Sequence, residues 1–400
     1  MKLSSDDLAM FFTDEHARLA ERLRAMAPAF AAIEAPGAHP DDAARDRAAV
    51  AALAEAGLFA LVVPPAGEQE AEAGPGPRDA TRLSIDLRAV CLAREMLGYV
   101  SPRADSILVC QGLGTHAIGA AGSAALRGEL AAYARGERVA AFALTEPEAG
   151  SDVAAIATRA TEHGGDGYRL DGDKLFISNL GVADHAMVVA TVDPARGHAG
   201  LTAFWVALDA PGVTVVPLTA IAAHPIGALE LRGAVVPAAA RIGEVGQGMR
   251  LALDTLDMFR GSVGAAAVGM ARRALDEALG FVTRRVQFGK PLAEQPLVQA
   301  HLADMVVDLD AARLLVLRAA HAKDTTGEKR TTEVSIAKLG ATEAAQRVID
   351  RAVQLFGGRG VMAGAVVEQL YRAIRPLRIY EGTSEIQRTI IGRALARGHR

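Results

Sequence analysis

Five separated stretches carry residue types that could do chemistry. In IYEGTSEIQR, Ile379 to Arg388, the reactive group is Glu381. It precedes a helix and could simply complement that helix's dipole. Held between Tyr380 and Gly382 and facing a pocket, it could instead lose water and become a general base. In KLFISN, Lys174 to Asn179, strand alternation puts Phe176 and Ser178 on one face. A ring beside a hydroxyl can hold a flat heterocycle, although a buried strand Phe is the commoner use. RRVQFGKPL, Arg284 to Leu292, gathers Arg, Gln, Phe, Gly and Lys at a helix end. That set suits a diphosphate, or merely caps a helix C-terminus. QLFGGRG, Gln354 to Gly360, has neither dinucleotide-fold nor Walker spacing. It could lay its backbone against a ligand or just end a helix. LTEPEAGSD, Leu144 to Asp152, offers Thr145, Ser151 and the amides around Gly150 to an anionic or carbonyl-rich ligand. Alone, it reads equally as a connection.

Three blocks must position these residues. Residues 1–138 read as helices. Ser4 to Asp7 supplies N-cap chemistry, and Ala43 to Leu58 and Leu83 to Leu97 show helical apolar spacing. Pro64 to Pro77, rich in Gly, Pro and Glu, reads as a mobile loop. Residues 139–243 carry short apolar runs bounded by Gly, Pro or Asp, which predicts a β-sandwich or barrel. Asp171-Gly172 within YRLDGDKLFIS predicts a hairpin. Residues 244–400 return to helical pattern. Val298, Leu302, Met305, Val306 and Leu309 should share one face, and the apolar series from Val348 to Phe356 should stop at Gly357-Gly358. Helices, then strands, then helices argue for an α+β chain with an N-terminal helical domain, a middle β domain and a C-terminal bundle.

Composition narrows the function. The 400 residues are 50% apolar, with much alanine, and only 4% aromatic. The net charge of −4 argues against a dedicated nucleic-acid binder. Cys91 and Cys110 make no C-x-x-C pair or metal cluster and read as buried thiols of a reducing compartment. The acidic N-terminus lacks a signal peptide's basic start, and no stretch is apolar enough for a membrane span. The expectation is a soluble, cytoplasmic protein.

Taken in order, TEPEAGSD, DGDKLFISN, RVQFG followed by LADM, QLFGGRGV and YEGTSEIQR resemble the successive signatures of the acyl-CoA dehydrogenase family. The resemblance covers nearly the whole chain and is weakest in the first 100 residues. It implies FAD as cofactor, an acyl-CoA substrate, electron-transfer flavoprotein as acceptor and a homotetramer (or dimer). The FAD would lie between domains with help from a neighbouring subunit. Leu144, Thr145 and Ser178 would meet the isoalloxazine ring, with Phe176 packed against it. Arg285, Phe288, Gln354, Gly357 and Gly358 would hold the diphosphate and adenosine, and Thr383 and Glu385 would lie on the FAD as well. Ser151, Asp257, Arg260 and Gly382 would contact the substrate, with Arg393 near the base. Glu381 would remove the α-proton while a hydride leaves the β-carbon for the flavin, giving a trans-2-enoyl-CoA. Some relatives carry the base where this chain has Phe259, which cannot accept a proton.

The chain departs from the family pattern at Phe176, where Trp is common, and at Ser178, where Thr is. Leu180 stands for a common Gly and Pro296 for a common Gln, and 64–77 lacks the usual Tyr-Gly-Gly turn. Rival readings are a flavin oxidase or a carrier-bound acyl dehydrogenase of the same fold. A DNA-associated relative would carry extra basic segments, which are missing here. Straight, branched, alicyclic and aryl acyl groups all stay open.

Overall fold

The computed structural model describes residues 8–65, 85–165 and 167–398. The N-cap expected at Ser4 to Asp7, and the loop expected over 64–77 apart from Pro64 and Pro65, lie outside those residues. Two compact units emerge. One gathers Met1–Ala35, Asp86–Asp105 and Arg260–Arg400; the other gathers Pro36–Ile85 and Ser106–Phe259.

Helices open the chain: α1 (Asp14–Ile33), α2 (Asp42–Glu55), α3 (Leu87–Val100), α4 (Pro102–Ala121) and α5 (Ala124–Ala134). Short polar side chains start several of them. Asp41, Asp86 and Ser123 accept hydrogen bonds from the Ala44, Ala89 and Leu126 amides, occupying donors that a helix leaves free. Pro102 opens α4 at the position where a missing N–H costs nothing.

The strands are β1 (Ala140–Ala143), β2 (Arg159–His163), β3 (Gly167–Ser178), β4 (His185–Thr191), β5 (Leu201–Ala207), β6 (Val213–Leu218), β7 (Ile226–Pro237) and β8 (Arg241–Ile242). They form one sheet in the order β6-β7-β3-β2-β4-β5-β8, with β1 parallel to β4. β2 and β4 meet at a single pair, Arg159 and Thr191. There the sheet folds over. Tyr168 on β3 and Phe204 on β5 are three strands apart, about 14 Å in a flat sheet. Their ring centroids are nevertheless 5.0 Å apart. Two half-sheets thus share one core of Leu170, Val188, Val206, Leu229 and Leu231, the sandwich expected for this block.

The hairpin expected at Asp171-Gly172 does not form. β3 runs through it and pairs with β7 along its length, with register shifts at Leu170/Asp171 and at Lys174/Ile177. The Asp171 carboxylate accepts from the Gly233 amide, so the residue that suggested a turn fastens two strands. The actual turn joining β2 to β3 lies at Gly164 and Gly165, both at positive φ.

The C-terminal helices are α6 (Gly248–Arg284), α7 (Pro296–Thr326), α8 (Thr331–Phe356), α9 (Val366–Ile374) and α10 (Ser384–Gly398). Between α6 and α7, β9 (Val286–Gln287) and β10 (Lys290–Pro291) form a two-stranded hairpin. α8 stops at Gly357, φ 60°, as its sequence predicts. The buried face of α7 runs through Met305, Leu309, Ala312 and Val316. Val306, expected on that face, sits about 100° away around the helix and is exposed. Glycines let α6 approach its neighbours. A Cβ at Gly264 would fall 2.5 Å from Val316, and one at Gly269 would overlap the Glu95 carbonyl oxygen on α3. Gly269→Ala should therefore destabilise by about 2 kcal/mol, the cost of overpacking a closed core, and lower the thermal midpoint. An unchanged midpoint would show that α3 and α6 can part at little cost.

Candidate active site

Glu381 lies on the turn between α9 and α10, with φ 53°, followed by Gly382 at φ 89°. A left-handed glutamate costs about 1–2 kcal/mol and needs outside support. Two consecutive carbonyls receive it. Arg260 Nε donates to the Glu381 carbonyl at 2.9 Å, and Gln387 Nε2 is 3.3 Å from the same oxygen. Lys338 Nζ and Gln387 Nε2 donate to the Gly382 carbonyl at 2.8 and 2.9 Å. A Cβ on Gly382 would strike Gln387 Nε2, so glycine is needed there twice over. Lys338 and Gln387 are fully buried.

The side chain is treated oppositely. Glu381 is buried, yet neither carboxylate oxygen has a hydrogen-bond partner among the described residues. Burial pushes its carboxyl above the ordinary range, against the pull of Arg94, Arg260 and Lys338, and Asp105 adds to the rise. Arg94 is spent elsewhere. It grips Asp105 with two bonds of 2.8 and 2.9 Å and donates to Ser262 at 2.9 Å. Burial lowers Lys338 to about 8, partly offset by Glu381.

Ser384 opens α10 and donates to Glu343 at 2.6 Å, where Arg378 also binds. Thr383 caps α10 by accepting from the Ile386 amide. Glu385 and Arg393 are exposed on α10. Asp257 and Arg260 are both buried on α6. Phe259 is buried too, edge-on to His116 at 5.9 Å, with Gly112 closely against its ring.

In the sheet unit, Gln111 ties α4 to the start of β1. Its amide donates to the Tyr133 and Arg138 carbonyls and accepts from the Ala140 amide. Beyond β1, Leu144 is buried, Thr145 is half-buried and Ser151 is exposed. A fully buried Lys174 fixes this turn to β3, donating to the Leu144 carbonyl at 3.1 Å and to Glu146 at 2.8 Å. Glu146 also accepts from the Ala157 and Thr158 amides. Burial raises its carboxyl, but the Lys174 charge and these bonds outweigh that and leave it below the ordinary range. Burial takes Lys174 down to about 8. Phe176 sits in the bulge at φ 59° and is 63% exposed, Ile177 is buried, and Ser178 is half-buried beside His224.

Phe288 tops the β9–β10 hairpin at φ 52°, followed by Gly289 at φ 79°, and is 94% exposed. Arg285, Gln354, Gly357 and Gly358 are also exposed. Nothing lies within 4 Å of a Cβ built on either glycine. Among the described residues, the non-glycine residues with positive φ are Phe176, Asn179, Phe288 and Glu381. All four fall inside the chemistry-bearing stretches, which is where backbone strain usually marks a site.

The sequence alone assigns no role to the supporting residues Lys338, Arg94, Asp105, Gln387, Lys174 and His224. Lys174 and Gln387 stand inside the motifs and could have been flagged there. The others lie far away in sequence.

A strained, buried carboxylate held by its backbone has the chemistry of a general base, and the chain around it runs helices, sheet, helices. The chain belongs to the acyl-CoA dehydrogenase family and is an oxidoreductase of that type. The family's middle domain matches residues 141–234 and its C-terminal domain residues 246–396. A probable acyl-CoA dehydrogenase of Mycobacterium tuberculosis is 37% identical over 390 residues, covering 96% of each chain. Butyryl-CoA dehydrogenase from Megasphaera elsdenii superposes with TM-score 0.84 at 32% identity, covering 96% of this chain and 99% of that one. A glutaryl-coenzyme A dehydrogenase complexed with glutaryl-CoA gives TM-score 0.85 at 30% identity over 97% and 96%. No helix among the described residues is long and apolar enough to cross a membrane. Both cysteines are buried and neither forms a disulfide.

The raised carboxyl has a thermodynamic consequence. A folded-state pKa above the unfolded value means stability is lost as pH rises from the unfolded pKa through the folded one. Above that window the full penalty of the buried charge applies. Glu381→Gln, which mimics the protonated acid, should melt at a higher temperature than wild type at pH 7.5, and the gap should close towards pH 4. An equal or lower midpoint at pH 7.5 would show that the cations, not burial, dominate.

Proposed function

We propose that this enzyme oxidises an acyl-CoA thioester to the trans-2-enoyl-CoA, with Glu381 removing the α-proton. The observation that carries the reading is Glu381 itself: buried, its carboxylate without a hydrogen-bond partner among the described residues, on a turn held by two clamped carbonyls. A carboxylate without partners is a stronger base than a bonded one, and loss of water strengthens it further. Its backbone N–H is the donor we assign to the thioester carbonyl, where negative charge grows as the α-proton leaves. Arg260 and Lys338 hold that turn rigid. Ser151, Asp257, Gly382 and Arg393 are carried over as further substrate contacts.

The residues suit FAD. Phe176 and Phe288 expose aromatic rings on strained backbone, and Gly357 and Gly358 leave open space for close approach. Leu144, Thr145, Phe176 and Ser178 would hold the isoalloxazine ring. Arg285, Phe288, Gln354, Gly357 and Gly358 would hold the diphosphate and adenosine, with Thr383 and Glu385 beside them. FAD supplies the acceptor for the hydride that leaves the β-carbon. We assign electron-transfer flavoprotein as the onward acceptor and a homotetramer (or dimer) as the working form. Phe288, Leu297 and Val307, each at least two-thirds exposed, support association.

Anaerobic titration of the FAD-loaded enzyme with a panel of acyl-CoA thioesters tests the reaction. Wild type should bleach with some members of the panel and Glu381→Gln, still yellow, should bleach at least about a hundred-fold more slowly. Normal bleaching by the variant would remove Glu381 as the base. Rapid reoxidation by oxygen would replace the dehydrogenase reading with an oxidase.

Lys338 gives a second test. Its charge lowers the Glu381 carboxyl, so Lys338→Gln should move the acid limb of the pH–rate profile to higher pH. A limb that stays in place confines Lys338 to folding.

A further inference from the structure

His224 stands beside Ser178, with a ring nitrogen in hydrogen-bond reach of its hydroxyl. Its Nδ1 lies 2.9 Å from the Ala222 carbonyl oxygen, and its Nε2 lies 3.3 Å from Ser178 Oγ. A carbonyl oxygen only accepts, so Nδ1 carries the hydrogen. In the neutral imidazole Nε2 is then a bare acceptor. In that state the Ser178 hydroxyl donates to it. That leaves the Ser178 oxygen only lone pairs for anything else it meets.

The placement is built. Ser178 pairs with Ile226 in the β3–β7 ladder. The next amide, Asn179 N–H, donates to the Pro225 carbonyl at 2.6 Å. Asn179 itself has φ 70°, and its buried side-chain amide donates to the Ile107 and Ala140 carbonyls. The segments carrying His224 and Ser178 are therefore joined immediately beside the contact, at Pro225 and Ile226.

We propose that His224 is a positioning residue that fixes Ser178 as a hydrogen-bond acceptor towards the flavin ring. The inference rests on the assignment of Ser178 to FAD made above. Oxidised isoalloxazine presents mainly acceptors along its polar edge, and reduction adds N–H groups there. An acceptor hydroxyl thus favours the reduced ring and raises the midpoint potential. Without His224 the hydroxyl is free to donate, which favours the oxidised ring. No bond is made or broken; only the redox equilibrium moves.

Two measurements on the FAD-loaded enzyme test this. Histidine ¹⁵N NMR, with the signal assigned by its loss in His224→Gln, should show protonated Nδ1 and bare Nε2. Midpoint potentials should show His224→Ala shifted towards the oxidised form by about ten-fold in the equilibrium, ~30 mV for a two-electron couple. His224→Gln, whose amide oxygen can accept from Ser178, should recover most of the shift, which a merely structural defect would not do. In a Ser178→Ala background, His224→Ala should add nothing. A protonated Nε2 in wild type, or an equal shift with and without Ser178, overturns the proposal. A protein that holds no FAD removes the cofactor reading and this inference with it. A yellow holoenzyme whose potential ignores His224 removes this inference alone.

Discussion

Everything at Glu381 depends on where three cations spend their hydrogen bonds. Arg94, Arg260 and Lys338 all act on Glu381 electrostatically. A direct bond from any of them would turn Glu381 into an ordinary ion-paired carboxylate with a depressed pKa and little basicity. Each is bonded elsewhere. Arg94 is held by Asp105 and Ser262, Arg260 by the Glu381 carbonyl and Lys338 by the Gly382 carbonyl. The charges stay close enough to pull the carboxyl down, while burial holds it above the ordinary range.

That arrangement explains an otherwise costly backbone. A left-handed glutamate before a left-handed glycine presents both carbonyls to buried donors. Relaxing the turn would orphan Lys338 and Gln387, both fully buried. An unsatisfied buried donor costs about 1–3 kcal/mol, more when charged. The strain at Glu381 is therefore smaller than the penalty for releasing it. Helices α6, α8 and α10 each contribute one donor, so the turn is only as good as their packing.

Much of this was legible in sequence, for reasons that differ by residue. Glu381, Phe176, Phe288 and Gly357 sit in short motifs with unusual chemistry, and three of them are at strained non-glycine positions. The helix stop at Gly357 follows from a local rule, so it could be placed. The expected hairpin at Asp171-Gly172 failed because a local turn preference lost to pairing along all of β7 and to the bond from Gly233. Val306 was placed on the wrong side of α7 because a helix with several apolar stripes does not reveal which one its neighbours cover. Lys338, Arg94 and Asp105 were invisible for a different reason. Each is a common residue in a long helix, and its meaning comes from contacts that only folding creates.

The two buried lysine–glutamate neighbourhoods make the principle general. Lys174 and Lys338 are alike: fully buried, lowered by desolvation to about 8, and bonded to a backbone carbonyl. Glu146 and Glu381 are not alike. Lys174 also bonds the Glu146 carboxylate, two amides join it, and that acid falls below the ordinary range. Glu146 is thereby a fastener for the turn at Leu144 and could not serve as a base. Lys338 bonds the carbonyl of the residue after Glu381 and leaves the carboxylate alone, and that acid rises. Three hydrogen bonds to its carboxylate set Glu146 apart from Glu381, whose carboxylate has none among the described residues. Residue type, which the two share, does not, and the deeper desolvation of Glu381 acts in the same direction as its missing bonds.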